Sequence, residues 1–136
     1  MEISEALDFV RQHHNGVLAV SRSDAKPQLS PVNATVDANG LVVISSRETA
    51  YKVRSLRERP FASYCAFTDR FFGDWVQIEG PVRIVALPEA MEPLVDYYRS
   101  ISGEHPDWDD YRAAMASDQR VLITITPERV GPNKMG

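Results

Sequence analysis

Apolar residues recur at positions 3, 7 and 10, the spacing that puts Ile3, Leu7 and Val10 on one helical stripe. The spacing predicts a helix over residues 3–13, with Ser4 placed to cap it and Asn15-Gly16 to end it. Short apolar runs follow. Residues 17–21 and 27–37 read as strands around a polar turn at Ser23-Asp24, and Asn39-Gly40 marks a hairpin into a third strand over 41–46. The period returns to that of a helix after Thr49, a capping residue, with Tyr51, Val53 and Leu56 apolar and Pro60 as the stop. Strands are expected at 61–68 and 75–86, the second bent or bulged at Gly80-Pro81. A helix opening at Pro88 buries Met91, Leu94, Val95 and Tyr98; a shorter one with an acidic first turn covers 107–116, and 121–126 is the sixth strand.

Six strands joined mostly as antiparallel hairpins, with helices between them, predict a small barrel of the mainly β or α+β class. There is no internal repeat and no linker, so residues 1–136 form one expected domain. A barrel of this size is filled by its own side chains, which puts any ligand on the outside or at a subunit interface and favours a homodimer.

Composition narrows the partners. The chain is 43% hydrophobic and 25% charged, an ordinary globular balance, and no apolar run approaches the roughly 20 residues of a membrane span. The acidic N-terminal segment lacks the apolar stretch of a signal peptide, and one cysteine, Cys65, makes neither an internal disulfide nor a thiolate zinc site. The expectation is a cytoplasmic protein. A net charge of −4 disfavours nucleic acid. Yet Arg47, Lys52, Arg54, Arg57 and Arg59 form a basic stretch against only Glu48 and Glu58, which suits a small anionic ligand.

Catalytic motifs are sparse. His13 and His14 are adjacent and diverge on a helix, and His105 has no second ligand at metal spacing, so no metal is expected. There is no Gly-x-Ser-x-Gly elbow, Gly-x-Gly-x-x-Gly turn or Walker loop. What remains is SSRETAYKVR at 45–54, a strand end, a polar turn and the start of a helix. There, amides, hydroxyls and the cations Lys52 and Arg54 could converge on a phosphate. The same residues would equally serve as a capped, solvated basic helix.

The run PQLSPV at 27–32, the 45–54 segment, LRERP at 56–60 and WVQIEG at 75–80 resemble, in order and spacing, the pyridoxamine-phosphate-oxidase-like FMN-binding split barrels. YRSISGEHPDWDDYR at 98–112 and DQRVL at 118–122 are similar to the actinobacterial branch that uses the deazaflavin coenzyme F420. The resemblance implies a six-stranded antiparallel split barrel with peripheral helices, a homodimer with cofactor sites at the interface, and an F420-dependent oxidoreductase passing hydride to a planar, conjugated organic acceptor. FMN, or a non-catalytic role binding the cofactor or haem, are its alternatives. It further implies that Lys52 and Arg54 hold the phosphate and that Ser45, Ser46, Thr49, Ala50 and Tyr51 line the phosphate and ribityl region. Gln28, Leu29, Ser30 and Asn33 would lie along the ring, with Trp75 and Gln77 closing the pocket from the partner subunit. Strand parity divides the third set, Gln28 and Ser30 facing one side and Leu29 and Asn33 the other. Tyr51, Tyr64 and Arg47 are the side chains considered for proton delivery. No histidine follows His105, and the tail offers only Arg129 and Lys134, which departs from the vitamin oxidases.

Overall fold

The computed structural model describes residues 1–135, the last three as backbone only, so the Lys134 side chain and Gly136 lie outside the described part. In chain order the elements are α1 (Ile3–Gln12), β1 (Asn15–Ser21), β2 (Pro27–Asn33), β3 (Thr35–Val36), β4 (Val42–Arg47), α2 (Tyr51–Glu58), β5 (Phe61–Phe67), β6 (Asp74–Val85), α3 (Met91–Ser102), α4 (Trp108–Ser117), β7 (Arg120–Ile125) and β8 (Arg129–Met135). All ladders are antiparallel, in the order β2-β1-β5-β6-β7-β4-β3, with β8 on the other edge of β6. The six expected strands are present. The second is divided at Ala34 into β2 and β3, and β8 is an addition, formed by a tail whose Gly and Pro conceal any strand pattern.

Alternation along each strand explains the interior. Leu18 and Val20 from β1, Ala62, Tyr64 and Ala66 from β5, and Val76 and Ile78 from β6 point into one core with Val42, Ile44, Val121, Ile123 and Ile125. Helices α1 and α2 contribute Ala6, Leu7 and Val10, and Val53 and Leu56, to the same core. Strand β7 is buried on both faces, because α3 packs outside it, setting Leu94 against Val43, Val85 and Leu122. Strands β2 and β4 approach each other without a ladder, and this gap is the split in the barrel.

Helix starts differ from the expectation. Ile3 begins α1 behind Glu2, which exchanges capping contacts with Glu5, so Ser4 lies inside the helix and does not cap it. Thr49 is not a cap either. A turn closed by the Ala50 amide on the Arg47 carbonyl, 3.0 Å, takes up residues 47–50, and α2 starts at Tyr51 with no side-chain cap. Pro88 precedes its helix within a turn, while Asp107 caps α4 by accepting from the Asp110 amide at 3.1 Å. The Asn39-Gly40 hairpin is present: Gly40 has φ +77°, and the Asp37 carboxylate accepts from the Asn39 and Leu41 amides at 2.9 and 3.0 Å. At Gly80-Pro81 no register shift occurs; β6 there exchanges β5 for β7 as its partner, Phe61 pairing with Pro81 and Ile125 with Val82.

Candidate functional site

The split opens into a cleft of about 970 Å³. One lip is the end of β2, with Pro31, Val32 and Asn33 beside Asn15 and Gly16 of β1; the other is Ser45, Ser46 and Arg47 at the end of β4. Ala50 and Lys52 enter from α2, Arg120 from β7, and Tyr97, Tyr98, Tyr111 and Met115 from α3 and α4. The cleft lining therefore combines cations with aromatic rings, Arg120 lying close to both Tyr97 and Tyr111. The first amides of α2 have no intrahelical acceptor, and with no side-chain cap on the helix they meet no capping side chain either.

Of the residues singled out in the sequence, Asn33, Ser45, Ser46, Ala50 and Lys52 line this cleft. Ser30 lies behind the lip and meets Lys52 Nζ at 3.4 Å. Thr49 and Tyr51 flank Ala50 in the turn and first residue of α2, and Arg54 is turned away, its guanidinium 6.0 Å from the centre of the Tyr51 ring. The parity division of β2 holds: Gln28 and Ser30 are half-buried, while Leu29 and Asn33 are exposed. Gln28 has its amide oxygen buried and without a hydrogen-bond partner among the described residues. Trp75 and Gln77 lie on the outer face of the sheet and do not line the cleft, although Phe67, paired opposite Trp75, does. Gln77 borders a separate hollow with Glu5, Glu79 and Arg129.

The basic stretch is divided by the fold. Arg57 is clamped by both Glu48 carboxylate oxygens at 2.7 and 2.9 Å, and Arg59 is spent on the Ser21 carbonyl and Glu58. Lys52 has no ion-pair partner among the described residues, and burial, followed by the charge of Arg120, holds its ammonium below the ordinary lysine value. Tyr64 is fully buried in the barrel, its hydroxyl donating to the His14 carbonyl at 3.2 Å, and burial pushes its pKa well up. That position removes it from proton delivery at the cleft. The histidines have local work: His14 Nδ1 lies 2.8 Å from the Ala34 carbonyl, and His105 Nδ1 accepts from the Asp107 amide at 2.9 Å.

Two residues have roles that sequence reasoning missed. Tyr97 spans the split, its hydroxyl donating to the Asn33 carbonyl of β2 at 2.9 Å while facing the Ser45 amide of β4. Its neighbour Tyr98 instead joins His105, Trp108 and Tyr111 in an aromatic cluster with ring centres 5.1–5.8 Å apart. Tyr97 stands one residue, about 100° round α3, from Tyr98, the position the periodicity assigned to the buried face. Arg120 stands directly opposite Arg47 across the β4–β7 ladder, a pairing visible only once the register is known.

Solved structures share this architecture. A conserved hypothetical protein of Mycobacterium tuberculosis is 26% identical, with 96% of this chain and 82% of that one aligned at a TM-score of 0.78. An F420 reductase is 18% identical over 91% of this chain and 94% of its own, TM-score 0.71. A heme binding protein of Mycobacterium smegmatis is 17% identical over 92% of this chain and 52% of its own, TM-score 0.66. Residues 3–134 match the family model for pyridoxamine 5'-phosphate oxidase, nearly the whole chain. With the antiparallel split barrel and its cleft in place, that match makes this chain a member of the pyridoxamine 5'-phosphate oxidase family.

Proposed function

We propose that this chain is a cytoplasmic F420-dependent oxidoreductase that holds the deazaflavin in the cleft at the split and uses it to reduce a planar, conjugated organic acceptor. The observation that carries the reading is the mixed cationic and aromatic lining of the cleft. Lys52 without an ion pair among the described residues, and Arg47 and Arg120 sharing the single carboxylate of Asp118, suit a phosphate, and the tyrosines of the lining suit a flat ring. The donor set fits such a group. Lys52, Ser45, Ser46 and the amides around Ala50 would hold the phosphate, with Thr49, Tyr51 and Arg54 bordering it, and Asn33 with the β2 lip would flank the ring. When bound in its reduced form, the deazaflavin supplies the hydride. This chain's residues orient the ring and acceptor and keep the lips at a fixed separation through Tyr97.

In the same reading a second copy covers the outer face of β2, β1, β5 and β6. Val17, Ala19, Leu29, Pro31, Cys65, Phe67 and Trp75 lie there and belong to neither buried core. The partner would bring Trp75 and Gln77 to the neighbouring cleft. One observation favours FMN as the alternative cofactor: the Arg57–Glu48 clamp removes a cation that the longer anionic tail of F420 would use.

Fluorescence titration with F420 and with FMN, followed by turnover of the reduced cofactor with a panel of conjugated acceptors, tests the proposal. Tighter F420 binding with acceptor-dependent oxidation supports it. Tighter FMN binding moves the activity to the flavin side of the family, binding without turnover leaves a carrier, and no binding of either overturns the cofactor assignment.

A further inference from the structure

The tip of the β5–β6 hairpin, residues 68–73, carries Phe71 at 85% and Phe72 at 64% exposure, the two most exposed large apolar side chains among the described residues. Their rings meet edge to face with 5.0 Å between centres, and neither belongs to a buried core. The turn beneath them is firmly closed. Thr68 Oγ1 donates to the Arg70 carbonyl at 3.0 Å, and the Gly73 amide donates to the same carbonyl at 2.8 Å. A Cβ on Gly73 would collide with the Thr68 hydroxyl and the Arg70 carbonyl, so the chain is drawn in tightly there. The backbone thus holds two phenyl rings out in water, an arrangement that contact with an apolar partner would relieve.

The tip adjoins the cleft. Across the sheet Asn33 pairs with Asn15, Gly16 with Ala66 and Phe67 with Trp75, and Asn15, Gly16, Asn33 and Phe67 all line the cleft. None of these four is charged, and Phe67 is the residue from which the chain enters the tip. An uncharged lining therefore continues from the cleft through Phe67 toward Phe71 and Phe72. Two acids and one arginine flank the rings, Asp69, Asp74 and Arg70, a balance that disfavours an anionic membrane surface. We propose that the Phe71–Phe72 tip is the outer part of the acceptor site and selects planar acceptors that carry an uncharged apolar chain. The flat head lies in the cleft, and the chain leaves past Phe67 onto the two phenyl rings. The proposal rests on the reading of the cleft as the seat of hydride transfer and deepens it by naming the acceptor class.

The probes are 1,4-naphthoquinone and its 2-ethyl, 2-butyl and 2-hexyl derivatives, with reduced F420 as donor. Each quinone accepts the hydride and one solvent proton to become the hydroquinone, and the oxidised cofactor releases a proton to solvent. In wild type the KM falls about ten-fold from the unsubstituted to the hexyl quinone with kcat little changed, because the added methylenes leave water on the phenyl rings. The double variant Phe71→Ser, Phe72→Ser raises the hexyl KM to that of the unsubstituted quinone and leaves the latter, and F420 affinity, unchanged. Phe71→Leu with Phe72→Leu keeps the chain preference. A KM independent of chain length in wild type, a preference retained in the serine variant, or equal losses with and without the chain each overturn the proposal. So does a shift of the serine variant from dimer to monomer, which gives the tip to a second copy, or flotation with phosphatidylcholine vesicles that needs the two rings, which gives it to a membrane. If none of the quinones is reduced, calorimetry with oxidised F420 present or absent decides. Tighter binding of the hexyl quinone that is lost in the serine variant upholds the apolar site, and equal or absent binding overturns it; the cofactor reading stands or falls separately on the F420 titration.

Discussion

Lys52 is a half-buried ammonium whose one side-chain hydrogen bond among the described residues goes to a hydroxyl, Ser30 Oγ, at 3.4 Å. Its lowered pKa has a definite sign in linkage. In the ligand-free protein the charged form is disfavoured relative to the unfolded chain, so Lys52 costs stability at neutral pH. That cost is relieved as pH rises from the lowered value toward the ordinary 10.5. An anion needs the charged form, so binding runs the other way. Affinity for FMN, a phosphomonoester, should rise as pH passes about 6, where its second proton is lost. It should fall again on the alkaline side before pH 10.5 is reached. Lys52→Ala should weaken binding by about 1.5–3 kcal/mol and erase the alkaline limb, whereas Lys52→Arg should extend it. A pH series of fluorescence titrations measures all three. An unchanged profile in Lys52→Ala would take this lysine out of the site.

Strand β6 is the element on which the barrel turns, pairing with β5 and β8 in its first part and with β7 from Val82 onward. Gly80 stands at the exchange, and a Cβ there would run into the Thr126 carbonyl, a backbone obstacle that cannot rotate away. Gly80→Ala should therefore destabilise the protein by about 3 kcal/mol, read from urea unfolding, while Gly103→Ala, with open space around it, should owe its cost to φ +81° alone. Elements such as β6 were legible because alternation and turn chemistry agree along them. Gly80-Pro81 was marked as irregular, although its purpose, a change of partner, depends on Thr126 far along the chain. Thr49 and Ser4 misled for a local reason: both have a capping side chain, but a turn and a glutamate pair occupy the positions where caps would act. Of the cleft lining, Ser46 and Lys52 were readable from one compact segment, while Ser45, Ala50 and Asn33 came only with the family resemblance. Tyr97 and Arg120 were legible in neither way, since their partners Asn33 and Arg47 are joined to them only by the tertiary fold.

At the scale of the molecule, the two cores account for the barrel interior and the α3 side, and the outer face of β2, β1, β5 and β6 is left with Leu29 61% exposed. If a second copy covers that face, Leu29→Glu should shift the protein from dimer to monomer in analytical ultracentrifugation and lower cofactor affinity with Lys52 intact. A dimer unaffected by Leu29→Glu places the interface elsewhere. The Arg47–Arg120 pairing carries a different consequence, for the order of events in folding. The α1, β1–β2 and β5–β6 units close over short stretches of chain, whereas β4 must wait for β7, so the cationic part of the cleft lining is assembled by a late, long-range closure. An anion can grip only what is already assembled. It would then slow the escape from the native state while leaving the search for that state at its own pace, making the bound ligand a brake on unfolding.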